Sequence, residues 1–313
     1  MSLFHNASVD YLKYLVHRIT VGISPKLEIN RYFKKIFGHK ANLKDPQSLI
    51  EKIYWMQLHS DTRQWTLFAD KYRVREHIES MGFAAYLPKL YGVWKNPNEI
   101  DMTLLPNSFV LKANNGCATV IVIKNKAVCN WDSVKLEMNN WFKYPFGYSG
   151  YEPHYLHIPP CIIAEELLVQ NTELAELSPN SMVDFKFWCF NGHVECCLVT
   201  YGRENGSLFI DLYDSKWKRI ISNIKDYGVK KINPNVTVPQ PKCLDKMLEI
   251  ASTLSKGQPE MRVDMYLVDD KPVIGELTMS SGYGYFTEKY YNYLGGFVDV
   301  SLLPKNNEVL YNI

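Results

Sequence analysis

An α+β fold is what this sequence predicts, with helices leading and antiparallel strands following. Residues 1–69 carry apolar positions at helical spacing. From residue 108 onward, short apolar runs alternate with turn signals such as Asn191-Gly192 and Asp269-Asp270-Lys271. Composition agrees: of 313 residues, 46% are hydrophobic and 22% charged, as in a globular chain of one large or two ordinary domains.

The elements follow in order. Ser24 before Pro25 is a helix start with proline at the first helical position, and Gly38 is its stop. Asp45-Pro46 repeats the start signal, and Leu49, Ile50, Ile53, Tyr54, Gln57 and Leu58 make a helical stripe. Asp70 caps a third helix over residues 71–81, ended by Gly82, with Val74, Ile78 and Met81 on one face. Residues 108–113 and 119–123 read as strands joined by the turn Asn114-Asn115-Gly116. A helix is expected over 131–142, then a long loop over 143–160 rich in Tyr, Gly, Pro and His. Such length points to function or mobility. Residues 161–168 form a strand that turns acidic. Residues 183–190 and 194–201 flank Asn191-Gly192 as a hairpin, 208–213 add a strand, and 243–254 form a helix. Residues 262–268 and 273–277 close the pattern as a second hairpin. These strands are expected in one antiparallel sheet. The stripe Tyr11, Leu12, Leu15 and Ile19 is expected to pack on the body.

Charge and cysteine usage narrow the function classes. Lys plus Arg number 35 and Asp plus Glu 33, a net charge of +2, so neither nucleic acid nor an anionic membrane is an expected partner. No apolar run reaches the roughly 18 residues a membrane span needs. The start has neither a basic n-region nor a continuous apolar h-region, so no signal peptide is expected. Seven cysteines, an odd number without a C-x-x-C pair, read as reduced and buried in a cytoplasmic protein. His154 and His157 lack the thiol or carboxylate companions of a zinc site.

Several charges sit inside apolar strands, where an unpaired charge is costly. Lys112 follows Phe109-Val110-Leu111, Lys186 follows Asp184-Phe185, and Arg262, Asp264 and Tyr266 alternate onto one face. The turn at Asp269-Asp270 can bring Glu276 beside Asp264. Adjacent carboxylates repel, and a divalent cation relieves that. With Lys112, Lys186 and Arg262 supplying positive charge, the set is what phosphoryl transfer from a Mg-nucleotide requires. The competing reading is a solvated sheet face with cross-strand ion pairs.

A family resemblance rests on residues in order along the chain. Asp70-Lys71-Tyr72 with Val74-Arg75-Glu76, then Pro106 to Gly116, Ile163-Ala164-Glu165-Glu166, Asp184 to Gly192, Arg262 to Tyr266 and Gly275-Glu276-Leu277-Thr278 together resemble the TupA-like ATP-grasp proteins. That family is named for teichuronopeptide biosynthesis and occurs in bacterial surface-polysaccharide gene clusters. The resemblance implies an ATP-grasp fold, two antiparallel-sheet lobes clamping ATP, here with an N-terminal helical extension. It divides the chain into a helical region 1–69, a nucleotide lobe 70–165 with the lid, and a C-terminal lobe 166–313 with the metal site. It implies that Lys71 and Lys112 contact phosphates or adenine, that Asn115 and Gly116 belong to the lid, and that Glu165, Glu166 and Leu167 read adenine and ribose. Lys186 would approach the γ-phosphate, Arg262 the transferred phosphoryl group, and Arg203 the acyl phosphate or substrate carboxylate. Asp264, Glu276 and Thr278 would hold Mg2+. Two departures stand out: the lid Asn115-Gly116-Cys117-Ala118 has one glycine where the family of folds often has His-Gly-Ser-Gly, and Thr278 replaces a frequent Asn.

The activity so implied is an ATP- and Mg2+-dependent, ADP-forming carboxylate–amine ligase. It would join a nucleotide-, lipid- or polymer-linked hexuronic acid to an amino acid or small amine in capsule or O-antigen assembly. Transient association with lipid-linked glycan is compatible with it, and integral membrane insertion is not. The alternatives are a catalytically weak nucleotide-binding scaffold or a glycan-modifying transferase that forms no amide. Tyrosines over 144–155 and Tyr283, Tyr285, Phe286, Tyr290, Tyr291 and Tyr293 could present rings to a sugar.

Overall fold

The computed structural model describes residues 7–225 and 228–303. The chain's start, read above for a signal peptide, and the outer ends of regions 1–69 and 166–313 lie partly outside the described residues. Helices lead, as expected: α1 (Ala7–Ile23), α2 (Pro25–Phe37), α3 (Leu49–His59), α4 (Arg63–Ala69) and α5 (Val74–Ser80). Ser24 and Pro25 start α2, and Gly38 ends it in the left-handed conformation (φ 86°). α3 starts later than Asp45-Pro46 implies. Ser48 is its N-cap in a reciprocal capping box, accepting from the Glu51 amide while Glu51 Oε2 accepts from the Ser48 amide at 3.0 Å. The helix expected over 71–81 is shorter at its start. Asp70 accepts from the amides of Tyr72 and Arg73, and residues 71–73 form a turn before α5.

Strands and later helices follow: β1 (Leu90–Trp94), β2 (Phe109–Ala113), β3 (Val120–Ile123), α6 (Trp131–Trp141), β4 (Ile162–Glu165), α7 (Thr172–Leu177), β5 (Asp184–Phe190), β6 (His193–Glu204), β7 (Ser207–Asp214), β8 (Lys230–Lys231), α8 (Leu244–Ser255), β9 (Met261–Val268), β10 (Lys271–Thr278) and α9 (Glu288–Gly295). They build two sheets, as the two-lobed fold implies, where the strand pattern by itself suggests one. The smaller has order β1-β4-β2-β3, and the larger β10-β9-β5-β6-β7-β8, antiparallel except for the β7–β8 pair. Two-residue turns join β5 to β6 through Asn191-Gly192 and β9 to β10 through Asp269-Asp270, all four residues at positive φ, as such hairpins require.

Alternation decides what each sheet buries. In the small sheet Phe109, Leu111, Ile162 and Ala164 point into a core shared with α6, while Lys112 and Glu165 lie on the other face. The large sheet shares a continuous core with the N-terminal helices, α8 and α9. The α1 stripe behaves differently from expectation. Tyr11, Leu12 and Ile19 are exposed, and α1 is held instead through Val21 in the core and His17 against buried Glu28. The long loop 143–160 contains a short helical turn, Pro153–His157. Cys117 is exposed and Cys129 and Cys243 are half-buried, so only four of the seven thiols are buried as expected. Among the described residues no helix is long and apolar enough to cross a membrane.

Candidate functional site

The large sheet gathers the in-strand charges into two rows. Lys186 on β5 pairs with Asp264 on β9, which pairs with Glu276 on β10. One step along, Trp188, Arg262 and Thr278 make a parallel row. Directly paired residues share a face, so all six present one surface. That register depends on a bulge at Gly275. A plain two-residue hairpin would set Glu276 opposite Val263 and on the other face. The extra residue between Ile274 and Glu276 restores it to Asp264. A side chain at 275 would meet the Tyr266 ring at 2.7 Å, which is why glycine stands there.

These charges are buried and mutually engaged, not spread over a solvated face. Lys186 and Arg262 are 8% exposed and Asp264 3%. Asp264 accepts from Arg262 Nε at 2.6 Å and Nη2 at 2.8 Å, and from Lys186 Nζ at 2.7 Å. Arg262 Nη2 also donates to Thr278 Oγ1 at 3.1 Å. Burial opposes ionisation of Asp264, but the two cations outweigh it and lower its pKa. Burial likewise opposes the charge on Lys186, and Asp184 and Asp264 reverse the balance, raising its pKa. Asp184 Oδ2 lies 3.1 Å from Lys186 Nζ and is a residue that sequence reasoning left out. The alternation that picked out Arg262 and Asp264 would have found it, two positions before Lys186.

Three further elements face these rows. Lys71, in the turn before α5, reaches Glu276 Oε1 at 3.2 Å and donates at 2.8 Å to the Gly116 carbonyl, in the loop expected to be the lid. The lid's base is fixed by Asn114. It is fully buried, donates to Asp70 Oδ1 and the Pro159 carbonyl, and accepts from the Cys161 amide. A Cβ at Gly116 would meet Thr119 Oγ1 at 2.9 Å, so a larger residue there needs the Thr119 side chain to turn away. Asn115 beside it is half-buried. In the small sheet Lys112 Nζ lies 2.6 Å from Glu165 Oε2, and Arg75 from α5 donates to Glu165 Oε1 at 2.9 Å. Glu166 is exposed, with its amide on the Lys89 carbonyl, and Leu167 is half-buried. Arg203 is exposed beside the bulge between Tyr201 and Glu204. Its backbone amide donates to Ser181 Oγ, and no contact among the described residues joins it to the charged rows.

A cavity of about 370 Å³ opens beside the rows, walled by Arg262, Glu276 and Thr278 on one side and by Tyr32, Tyr283 and Tyr285 on another. Glu152, from the long loop, also faces it and bonds to the Ser280 hydroxyl. Burial, with Glu276 adding to it, pushes the Glu152 carboxyl up to about 7 against the pull of Ser280 and Arg262. Nothing periodic marks Glu152 in the sequence; the length and aromatic character of its loop were the only signals. Lys230 was also missed. Its Nζ sits 3.6 Å from the Tyr285 ring centroid and donates to the Tyr283 and Gly284 carbonyls, and burial beside Arg262 lowers its pKa to about 8. Of the tyrosines expected to face a sugar, Tyr155, Tyr283 and Tyr285 line the cavity. Phe286, Tyr290 and Tyr291 are instead packed in the core, and Tyr293 donates to Glu195 on the surface.

The donor set fits a magnesium ion. Among the described residues no three His, Cys, Asp or Glu side chains cluster as a dedicated metal site. Two facing carboxylates with one hydroxyl, Asp264, Glu276 and Thr278, match an ion held by one or two carboxylates and completed by water and phosphate oxygens. Lys71, Lys186 and Arg262 lie around them, each paired with a carboxylate.

The family model described as TupA-like ATPgrasp matches residues 51–298. No curated protein matches the chain. Solved structures resemble it at low identity. D-alanine–D-alanine ligase from Bacillus anthracis complexed with ATP is 11% identical over 87% of this chain and 78% of that one, with a TM-score of 0.46. D-alanine–D-alanine ligase from Helicobacter pylori is 11% identical over 83% and 70%, at 0.42. An ATP-grasp RimK domain protein from Sphaerobacter thermophilus is 9% identical over 74% and 67%, at 0.40.

Proposed function

The chain belongs to the TupA-like ATP-grasp family and has its fold, and from that premise we propose a ligase. It joins a hexuronic-acid carboxylate to an amine with ATP and Mg2+, in the cytoplasm, during assembly of a bacterial surface polysaccharide. The observation that carries the reading is the row Lys186–Asp264–Glu276, facing Lys71 and the lid carbonyl of Gly116. The proposed division is a helical region 1–69, a nucleotide lobe 70–165 and a metal-bearing lobe 166–313.

A carboxylate is a poor electrophile at neutral pH, because its leaving group would be oxide. Attack of its oxygen on the γ-phosphorus breaks the β,γ bridge, releases ADP and gives an acyl phosphate. The amine nitrogen then bonds to the carbonyl carbon, phosphate leaves and a proton is released. Asp264, Glu276 and Thr278 hold the divalent cation, which when bound neutralises charge on the phosphate oxygens. Lys186 and Arg262 stabilise the phosphoryl group in flight. Lys71 and Lys112 take the nucleotide, and Asn115 and Gly116 close over it, excluding water that would hydrolyse the acyl phosphate. Glu165, Glu166 and Leu167 border the purine and ribose. For Glu165 to read ribose, its bonds to Arg75 and Lys112 must be shared with the nucleotide.

The test is ADP release in mixtures of the protein with MgATP, UDP-glucuronate or UDP-galacturonate, and a pool of amino acids, with mass analysis of the sugar. ADP that depends on both co-substrates, with a new amide mass, is the expected result. AMP and pyrophosphate as products would refute the acyl-phosphate route. ATP binding without turnover, on these sugars and on isolated glycan alike, would point to a scaffold instead.

A further inference from the structure

The cavity beside the charged rows holds a charge that the chemistry above leaves unused. Three side chains of the acidic and basic kinds line it, Arg262, Glu276 and Glu152. Arg262 is paired twice with Asp264, and Glu276 is paired with Lys71. Glu152 is different: its contact is the Ser280 hydroxyl, and no basic side chain forms a salt bridge with it among the described residues. The cavity therefore presents one carboxylate that, when ionised, has no salt-bridge partner among the described residues, next to aromatic walls. Tyr283 stacks on Tyr54 with centroids 5.5 Å apart and meets Tyr32 edge-on at 5.2 Å, so these rings are fixed in place.

Glu152 is held just as firmly. Its amide donates to the Gly147 carbonyl at 2.7 Å. Gly147 has φ 119°, and a Cβ there would lie 2.7 Å from the Glu152 carbonyl oxygen, so the loop closes this tightly only with glycine. Two residues before Glu152, the Gly150 amide donates to Glu28 Oε1. Glu28 is fully buried and is itself fixed by Arg31 and His17. The loop is thus anchored to α2, and its carboxylate is aimed into a preformed cavity that runs on to Glu276 and Arg262.

A carboxylate without a counter-ion, set beside aromatic rings, selects a cation over an uncharged hydroxyl. We infer that this cavity is the acceptor subsite, where Glu152 binds the ammonium group of the incoming amine and Tyr283 and Tyr285 receive the rest of it. The inference rests on the ligase reading and adds to it the residue and the charge state that choose the acceptor. A sugar hydroxyl would satisfy Glu152 with a hydrogen bond but would leave its charge uncompensated.

The test separates this inference from its premise. Wild-type protein with MgATP and UDP-glucuronate or UDP-galacturonate is assayed with hydroxylamine, uncharged at pH 7.5, and with glycine, L-alanine, L-lysine and ethanolamine as cationic amines. Glu152→Gln is expected to lower the ratio of kcat/KM for a cationic amine to that for hydroxylamine at least thirtyfold, mainly through KM, and Glu152→Asp to recover part of the loss. In the wild-type protein, choline is expected to compete with the amine at least tenfold better than its uncharged isostere 3,3-dimethyl-1-butanol, a readout that stands if the variant does not fold. An unchanged ratio in Glu152→Gln, equal inhibition by the two isosteres, or hydroxamate formation with no amide from any cationic amine would overturn the inference and leave the ligase standing. Neither hydroxamate nor amide from the wild-type protein, on these sugars and on isolated glycan alike, would overturn both.

Discussion

Glu276→Gln separates catalysis from folding in a way that Asp264→Asn does not. Asp264 is the common acceptor of two buried cations, with contacts of 2.6, 2.7 and 2.8 Å. Neutralising it strands Arg262 and leaves Lys186 with Asp184 alone, in a place 3–8% exposed. Removing one partner of such a buried set costs about 3 kcal/mol or more, which for a chain of this size is roughly 6 °C in Tm. Glu276 is 27% exposed at its side chain and has one ionic contact, 3.2 Å to Lys71. A pair of that kind contributes under about 1 kcal/mol, or roughly 2 °C. Both substitutions remove one of two carboxylates proposed to hold the metal, so each should lower ADP-forming turnover at least ~100-fold, about 2.7 kcal/mol of barrier. The assay pairs turnover with thermal melts, with and without MgATP. Ligand at 100 times its Kd adds about 2.7 kcal/mol of stability to the wild-type protein, and that increment should shrink in Glu276→Gln while the melt without ligand barely moves. Turnover within threefold of wild type for Glu276→Gln at saturating Mg2+ would refute the metal assignment. A Tm loss as large as that of Asp264→Asn would refute the claim that Glu276 is free of structural duty.

Gly275→Ala should keep the chain folded but press on the Tyr266 ring at the bulge, and its mark should be a turnover loss exceeding its Tm loss; a purely thermal effect would count against the bulge as the device that faces Glu276 inward. Gly295→Ala should destabilise by about 1–3 kcal/mol or more, because its Cβ would lie 2.0 Å from the Gln47 carbonyl oxygen where α9 meets the start of α3, and a melt within 1 °C of wild type, on the order of 0.5 kcal/mol, would contradict that packing. Lys230 gives a pH signature. Its pKa is lowered to about 8 by burial and Arg262, so its charge opposes folding fully below that pH and the penalty fades as pH rises toward the ordinary lysine value. Lys230→Met should therefore raise Tm at pH 7, and the gain should vanish in melts above pH 10; a gain that is constant with pH would exclude the charge as its cause.

Much of the site was legible because alternation and turn chemistry act locally. Arg262 and Asp264 stand two apart in an apolar strand, and Asp269-Asp270 fixes a two-residue turn, so the shared face and the approach of the second strand follow from the sequence. The same arithmetic carried one step further would have turned Glu276 away, and only the bulge at Gly275 corrects it. A lone glycine inside a strand is a signal for that, but its direction is set by the Tyr266 ring across the sheet, which is a tertiary fact. The capping box at Ser48 and Glu51 was readable too, and was overlooked in favour of the stronger proline at position 46. Glu152 was not readable at all. Its place depends on Gly147, on Gly150 and on Glu28, 124 positions upstream, and no local pattern connects them. The α1 stripe failed for the opposite reason: its periodicity is clear, but the sequence does not say which helical face finds a partner, and Val21 rather than Ile19 is the buried position.

Glu28 allows that anchoring to be tested apart from the chemistry. Burial alone would raise its carboxyl pKa, but Arg31, the Gly150 amide and His17 together bring it below the ordinary glutamate value. A lowered folded-state pKa contributes stability that is present above the unfolded value and is lost as pH falls through the folded one. The wild-type protein should therefore lose stability on acidification below about pH 4.5, the ordinary glutamate value, and Glu28→Gln should be less stable at pH 7 yet lose less on the same acidification. Glu28 touches neither the charged rows nor the cavity, so its effect on function travels through the Gly150 amide to the loop that carries Glu152, or along α2 to Tyr32 in the cavity wall. At a temperature where the variant remains folded, the amine KM should rise while the MgATP KM stays near wild type. A rise in both, or in neither, would mean that the loop is not the link between α2 and the acceptor cavity.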